Sequence, residues 1–282
     1  MAAKEQTMKP GNAAREQWCL TRGVRTPFVL LYLHGFSASP GDAGDLPEQM
    51  AQALVANLYV HRWPGHGEAT PNAMQGLSRG GLEASALEAL DRACAMGDVV
   101  AIIGSSLGAT LGLWLAATRP ADVGAVVAWS PAVQAVDPAL LDQLCAATEP
   151  WQVPGERSPA VQAYWSQWIH PDGFNALRET LSGNAACPPW SRVKCPVFLG
   201  YYRDATGAED RTASVPAMLS MFDALGTPPQ HKRAQPFAAA AHAIGSPYKS
   251  QLAGVVAAAS VNFLKDMLPC AAQASAVQAS AG

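Results

Sequence analysis

Continuous apolar runs alternate with amphipathic stretches along most of this chain. The apolar runs are rich in aliphatic residues, a pattern typical of strands buried in a parallel sheet, and they span residues 28–33, 57–63, 98–104, 123–129, 196–202 and 231–237. Between them, apolar residues at helical spacing predict helices over residues 46–56, 82–93, 107–118, 217–225 and 252–267. Strands that alternate with helices form right-handed βαβ units. We therefore predict a three-layer α/β fold, with a mostly parallel sheet and helices on both faces.

The alternation pauses between residues 131 and 190, where prolines and tryptophans concentrate. Within this stretch Val161, Tyr164, Trp165, Trp168 and Ile169 follow helical spacing, so we predict an inserted helical cap. The predicted domains are a core of residues 1–130 and 191–268, a cap of residues 131–190, and a disordered small-residue tail at 269–282. The segment Gln17 to Leu20 is the candidate for a leading edge strand.

Composition argues against some classes of function but does not indicate a single one. Apolar residues make up 49% of the 282 residues and the net charge is −3, as expected of a globular protein with no electrostatic attraction to nucleic acid or anionic membranes. No apolar run is long enough to span a membrane, and the first residues lack the apolar core of a signal peptide. The six cysteines form no metal-ligand spacing. We expect reduced thiols, a cytoplasmic location, no metal and no stable membrane insertion.

A Gly-x-Ser-x-Gly motif lies where an apolar run meets a predicted helix. Its central residue is Ser106, and residues 104 and 108 are the glycines. A strand-to-helix junction is the setting of a nucleophile elbow, whose tight turn needs small neighbours and directs the hydroxyl out of the sheet edge. The sequence therefore predicts that Ser106 is a nucleophile, whereas Ser105 is a turn residue.

The loop after the first apolar run is the candidate oxyanion site. It begins His34-Gly35-Phe36, and in a sheet of this kind it lies beside the nucleophile. We predict that the backbone N–H groups of Phe36 and Leu107 stabilise negative charge on a reacting oxygen. The His34 side chain is expected to brace this loop.

A serine nucleophile needs a neutral imidazole as its base. His242 follows the last predicted strand in a loop of small residues just before the final helix, which suits a base that must reach over Ser106. His66, in Pro64-Gly65-His66-Gly67, is expected to be structural. We predict that His242 is the base.

The base in turn needs a carboxylate, expected in the loop after the strand at 196–202. Asp204 lies where a loop of minimal length would place the acid. Asp210 lies just before Ser214, which can cap the next helix, and so suits a longer loop. We favour Asp210 with Asp204 as the alternative; Glu209 is a third candidate.

These segments together resemble the α/β-hydrolase superfamily, and in particular its carboxylesterases and monoacylglycerol-lipase-like members. The resemblance runs from about Phe28 to Leu268, and the motifs that carry it are Leu33-His34-Gly35-Phe36-Ser37-Ala38-Ser39, Pro64-Gly65-His66-Gly67, Gly104-Ser105-Ser106-Leu107-Gly108 and Ala241-His242. It implies the α/β-hydrolase fold and hydrolysis of carboxylic esters through an acyl-serine intermediate, without metal or organic cofactor. The implied partner is a small-molecule ester.

The aromatic residues of the predicted cap could line an apolar pocket, which suggests an ester with a hydrophobic part. They are Trp151, Tyr164, Trp165, Trp168, Phe174 and Trp190. Of these, Trp165 and Trp168 are the candidate substrate contacts. The same groups could act on a thioester, an amide or an activated C–C bond, or a catalytically inactive fold could serve as a binding protein. Dehalogenase and epoxide-hydrolase chemistry is disfavoured, because those members carry Asp where this chain has Ser106. The sequence leaves the natural substrate and the oligomeric state open.

Overall fold

A seven-stranded sheet forms the centre of the computed structural model, which describes residues 8–239 and 241–279, with side chains as far as residue 268. The strands are β1 (Arg15–Gln17), β2 (Thr26–Leu33), β3 (Asn57–Val60), β4 (Gly97–Ser105), β5 (Val123–Trp129), β6 (Trp151–Gln152), β7 (Trp168–Ile169), β8 (Val197–Tyr202) and β9 (Lys232–Phe237). The strand order in the sheet is β1-β3-β2-β4-β5-β8-β9, and every neighbouring pair is parallel except β1 with β3. A separate hairpin pairs β6 with β7.

Helices follow the strands in the order that the apolar pattern predicts. Most begin with a capping side chain, which accepts an unpaired backbone N–H at the helix start, or with a proline in the first turn, which has no N–H to pair. They are α1 (Leu46–Ala53), α2 (Arg79–Met96), α3 (Leu107–Thr118), α4 (Pro138–Cys145), α5 (Pro159–Tyr164), α6 (Pro171–Ala186), α7 (Val215–Asp223) and α8 (Ala253–Ala279).

Two apolar cores lie on opposite faces of the sheet, because successive side chains of a strand point to opposite faces. In β2, Val29, Leu31 and Leu33 belong to one core, whereas Leu30 and Tyr32 belong to the other. Helices α2, α3 and α7 cover the first face, and α1 and α8 cover the second. The predicted three-layer α/β fold is confirmed.

Parallel pairing brings the carboxyl ends of β2, β4, β8 and β9 to the same edge of the sheet. The loops that leave these strands contain Phe36, Ser106, Asp210 and His242, in that order. Clefts at this edge are where open α/β sheets bind ligands. The topology alone therefore collects the four residues at one end of the molecule.

The segment between β5 and β8 holds α4, α5, α6 and the hairpin, and one predicted helix in it is wrong. Helical spacing predicted a helix over residues 161–169, but α5 ends at Tyr164, Trp165 is extended, and Trp168 lies in β7. The Lys9 ammonium donates a hydrogen bond to the Trp165 carbonyl at 2.9 Å. A tertiary contact thus occupies a carbonyl at the helix end, where the helix leaves acceptors unpaired.

Both ends of the chain differ from the predicted boundaries. The edge strand lies at Arg15–Gln17, not at 17–20, and pairs antiparallel with β3. The backbone of α8 is helical through Ala279, beyond the predicted end at 267. The side chains of the predicted tail at 269–282, and all of residues 280–282, lie outside the described residues. Among the described helices, none combines the length and the apolarity that a membrane crossing requires.

Candidate active site

Ser106 occupies a strained turn between β4 and α3. Its backbone angles are φ 53° and ψ −117°, a region that residues with side chains rarely adopt. The flanking glycines permit this turn: a Cβ on Gly104 would lie 2.5 Å from the Ala109 nitrogen, and one on Gly108 would lie 2.0 Å from the Leu33 oxygen. The motif glycines are therefore required sterically, as a nucleophile elbow demands.

His242 connects Ser106 to a buried carboxylate. Its Nε2 atom lies 2.8 Å from the Ser106 Oγ, and its Nδ1 atom lies 2.5 Å from Asp210 Oδ2. The other carboxylate oxygen of Asp210 accepts the N–H groups of Thr212 at 2.7 Å and Ala213 at 3.2 Å. An ionised carboxylate only accepts, so Nδ1 donates to Asp210 and Nε2 is free to accept the serine proton.

The environment of Asp210 favours its charged form. Its side chain is fully buried, and burial raises the pKa of a carboxyl group. Hydrogen bonds from His242, Thr212 and Ala213 oppose this effect and outweigh it, so the pKa of Asp210 lies below its ordinary value. The carboxylate behind His242 is thus ionised at neutral pH.

The other acidic residues of this loop have different partners. Asp204 Oδ1 accepts the backbone N–H of Thr206 at 2.9 Å and its hydroxyl at 2.7 Å, which organises the turn after β8. Glu209 forms an ion pair with Arg203. Among the described residues, neither carboxylate contacts His242. The structure therefore brings Asp210, and neither alternative, to the histidine.

The loop after β2, residues 34–37, lies directly against Ser106. Because it carries Phe36, a predicted oxyanion donor, we name it the oxyanion loop. A Cβ on Gly35 would lie 3.3 Å from the Ser106 Cβ and 3.9 Å from its Oγ. Within the described residues, the N–H groups of Phe36 and Leu107 donate to no protein acceptor. Leu107 opens α3, where N–H groups are unpaired and the helix dipole favours negative charge. Two free donors thus flank the serine.

His34 orients the peptide that carries the Phe36 N–H. Its Nδ1 donates to the Gly35 carbonyl at 2.9 Å, while Nε2 accepts the Trp63 N–H at 3.2 Å. The Gly35 carbonyl and the Phe36 N–H belong to one planar trans peptide, so fixing the carbonyl aims the N–H in the opposite direction. Burial, together with the nearby His66, His61 and Arg62, lowers the pKa of His34 well below its usual value. A neutral His34 therefore holds this loop.

Aromatic rings continue from the oxyanion loop into the cap. The Phe36 and Phe174 ring centroids are 5.6 Å apart, and those of Phe174 and Trp151 are 5.9 Å apart. Phe174 is buried, whereas Phe36 and Trp151 are half-buried. Phe174 and Trp151 are two of the six cap aromatics that the sequence analysis considers as pocket-lining residues, although it favours Trp165 and Trp168. Pro171 begins α6 and so places Phe174 in its first turn.

The two tryptophans predicted to contact substrate have other surroundings. Trp165 is 5% exposed and lies under the Lys249 ammonium, which is 4.3 Å from its ring centroid. Trp168 pairs with Gln152 in the small hairpin. A substrate contact by Trp165 or Trp168 stays a prediction. The rings that adjoin the oxyanion loop are Phe36, Phe174 and Trp151, and we call them the aromatic run.

The fold and this arrangement are those of an α/β hydrolase, and the family comparison agrees. The model of the alpha/beta hydrolase family matches residues 30–259, so the chain belongs to that family. No curated protein sequence matches it.

Solved structures with the same fold include lipolytic enzymes at low identity. One comes from a report on LipS and LipT, two metagenome-derived lipolytic enzymes, with 20% identity and a TM-score of 0.76 over 92% of this chain and 99% of that one. The monoacylglycerol lipase of Paleococcus ferrophilus has 19% identity and a TM-score of 0.67 over 89% and 97%. A soluble variant of monoglyceride lipase from Saccharomyces cerevisiae has 11% identity and a TM-score of 0.68 over 94% and 97%. At these identities the comparisons show the fold.

Proposed function

We propose that this protein is a serine hydrolase that cleaves carboxylic esters with a hydrophobic part. One observation carries the proposal. The hydroxyl of Ser106, which lies in a strained turn, is 2.8 Å from His242 Nε2, and His242 Nδ1 is 2.5 Å from Oδ2 of the ionised Asp210. A serine, a correctly oriented imidazole and a carboxylate are the three groups that acyl transfer through serine requires. The lipolytic enzymes among the fold neighbours support esters as the substrate class.

Acylation begins when the Ser106 Oγ attacks the ester carbonyl carbon. His242 Nε2 takes the hydroxyl proton, and the negative charge on the carbonyl oxygen is stabilised by the N–H groups of Phe36 and Leu107. The C–O bond to the alcohol then breaks, and His242 returns its proton to the departing oxygen. Asp210 stays ionised throughout and stabilises the imidazolium.

Deacylation repeats the steps with water. His242 accepts a proton from water as the water oxygen attacks the acyl carbon, and the same N–H groups stabilise the second oxyanion. The acyl–oxygen bond to Ser106 breaks, the proton returns to the serine, and a carboxylic acid leaves. Every proton in this cycle passes through Nε2 of His242, the atom that faces Ser106.

Activity-based labelling tests the proposal. A fluorophosphonate probe is expected to label the folded wild-type protein at Ser106, and Ser106→Ala is expected to abolish the labelling. A panel of p-nitrophenyl esters of increasing chain length, with matched amides and thioesters, then identifies the substrate class. Failure of the probe to label folded wild-type protein would contradict the hydrolase proposal, and faster turnover of the thioester or amide would contradict ester specificity.

We assign the preference for hydrophobic acyl groups to the aromatic run of Phe36, Phe174 and Trp151. Trp151→Ala opens the far, half-buried end of this run, so we expect the preference for long over short acyl chains to fall by about tenfold. Trp18→Ala, at a half-buried tryptophan beside the edge strand, is the matched control and should leave the preference unchanged. Equal effects of both substitutions would exclude the run as the acyl site.

We also propose a reducing, cytoplasmic location. The cysteines with described side chains are all free thiols, and free thiols are typical of reducing compartments. Fractionation of the native host, with the protein detected in the cytoplasmic fraction, tests this location.

A further inference from the structure

Thr110 lies near the start of α3, four residues after Ser106, and its side chain is completely buried. Its hydroxyl donates to the Ala132 carbonyl at 2.9 Å and also lies 3.2 Å from the Ser106 carbonyl. The contact with Ser106 is the local one that helical threonines often make. The shorter contact leaves the helix and reaches a residue 22 positions further along the chain.

A second buried threonine shows what distinguishes Thr110. Thr180, inside α6, donates to the Ala176 carbonyl at 2.8 Å and so makes the local bond alone. Within the described residues, the Thr110 hydroxyl is the one donor to the Ala132 carbonyl. The contact between α3 and Ala132 therefore depends on this side chain and is not one that any backbone would supply.

Ala132 belongs to residues 129–136, which leave β5 and which we name the bridge segment. The Ser106 N–H donates to the Trp129 carbonyl at 2.8 Å, and the Ser106 carbonyl accepts the Ala132 N–H at 3.3 Å. Both backbone groups of the strained serine thus bind one segment. Strained backbone persists only where the surrounding structure holds it, and Thr110 ties this segment to the helix that follows Ser106.

The other end of the bridge segment pairs with the loop that contains Asp210. Gln134 and Val136 form backbone hydrogen bonds of 2.9 and 3.0 Å with residues 212–214. Two N–H groups of that stretch donate to the Asp210 carboxylate at 2.7 and 3.2 Å. The bridge segment therefore connects the backbone of the nucleophile to the residues that hold the acid.

We propose that Thr110 is a positioning residue that fixes the turn of Ser106 against the bridge segment, and through it against the Asp210 loop. The inference rests on the proposed function, because it places Thr110 behind the same nucleophile. Without the hydroxyl, the Ala132 carbonyl would be a buried acceptor lacking its donor, and the bridge segment would move to find another. Small displacements of a reacting group lower the rate of the chemical step.

A pair of threonine-to-valine variants tests the proposal. Thr110→Val replaces the hydroxyl by a methyl group, and Thr180→Val makes the same change at the matched control. With p-nitrophenyl butyrate, we expect kcat of Thr110→Val to fall by about tenfold and KM to stay within about twofold, because the aromatic run is unchanged. The rate of fluorophosphonate labelling at Ser106 should fall with kcat. Thr180→Val should stay within about twofold of wild type in every measurement.

A rescue variant separates positioning from a general loss of stability. Each valine variant loses a buried hydrogen bond, so both should lower the thermal midpoint Tm, but only Thr110→Val should lower kcat. Thr110→Ser keeps the hydroxyl and loses a buried methyl group, so it should also lower Tm. Its kcat and labelling rate should nevertheless return to within about twofold of wild type.

Several outcomes would overturn the inference. These are a wild-type kcat in Thr110→Val, an equal fall in Thr180→Val, or a Thr110→Ser variant as impaired as Thr110→Val. If Thr110→Val fails to fold, Thr110→Ala beside Thr180→Ala decides by the same criteria. Wild-type protein that hydrolyses no ester and is not labelled at Ser106 overturns the proposed function and this inference together. Normal wild-type labelling with no difference between the two valine variants overturns the inference alone.

Discussion

Within the described residues, two serine–histidine contacts have equal length but different surroundings. Ser106 Oγ and His242 Nε2 are 2.8 Å apart at the sheet edge, and Ser85 Oγ and His61 Nε2 are also 2.8 Å apart between α2 and the end of β3. The other ring nitrogen of His242 contacts the Asp210 carboxylate, which can only accept hydrogen bonds. The group behind His61 is a tyrosine hydroxyl at 3.3 Å.

The backbone around the two serines also differs. Ser106 lies in a strained turn before α3, with free N–H groups beside it, whereas Ser85 lies inside α2, where N–H groups are paired along the helix. His61 is 6% exposed, and burial, with Arg62 and His66 nearby, lowers its pKa to about 4. A short Ser–His distance is therefore insufficient. The carboxylate, the strained turn and the unpaired donors distinguish a candidate active site from a core hydrogen bond.

The largest difference should come from removing each serine hydroxyl. Ser106→Ala is expected to lower kcat/KM for p-nitrophenyl esters by about 10⁴-fold or more, because the nucleophile is lost. Ser85→Ala removes the matching hydroxyl of the other pair and should retain activity and probe labelling. A Ser85 variant that loses labelling, or a Ser106 variant that keeps it, would reverse the assignment.

The second difference concerns the carboxylate behind the histidine. Asp210→Asn keeps the shape but favours the wrong tautomer of His242, so we expect kcat to fall by about 10³- to 10⁴-fold. Asp204→Asn alters the nearby carboxylate that binds Thr206 and serves as the control, with activity within about twofold of wild type. If Asp204→Asn were the inactive variant, the acid would be misassigned.

The third difference is in stability. The folded state lowers the pKa of His61 from 6.5 to about 4, so between these values the unfolded chain binds the extra proton. The wild type should therefore lose stability as the pH falls from 6.5 to 4, by up to about 3 kcal/mol from this residue. His61→Gln should reduce this loss in urea unfolding at pH 7 and pH 4.5, and an undiminished loss would show that His61 does not titrate in this way.

The smallest effect is expected at the tyrosine behind His61. Tyr59→Phe removes one long hydrogen bond, so the free energy of unfolding should change by less than about 1 kcal/mol and ester hydrolysis should not change. Urea unfolding and the p-nitrophenyl assay check both statements. A large loss of activity would indicate that the second pair also takes part in catalysis.

Local signals explain why much of this arrangement was predictable. The fold class followed from alternating apolar runs. The ends of β5 and α3 are as predicted, and charged residues mark two of them: Asp122 precedes β5 and Arg119 follows α3. Ser106 stands in a short motif at a strand end. His242 and Asp210 follow from the order of loops, although their roles stay predictions.

What the sequence did not reveal depends on contacts between distant elements. The Ser246 hydroxyl donates to the Asp42 carbonyl at 2.6 Å, a contact between two loops far apart in the chain that no local pattern encodes. The Ser85–His61 pair needs α2 to lie on β3 in one register. Lys9, far away in the chain, donates to the Trp165 carbonyl just beyond the end of α5. Contacts of this kind join distant residues, so local propensity does not predict them.

The parallel order of the strands has a consequence for how the protein acquires activity. Ser106 and His242 are 136 residues apart in the chain, and Asp210 is 32 residues from His242. Closing such long loops is entropically costly, and contacts of this kind form slowly during folding. Helices and individual strand pairs can form before the last strand, β9, joins the sheet, but the site cannot. Recovery of ester hydrolysis on dilution from denaturant therefore reports completion of the sheet and should lag behind the recovery of helical circular dichroism.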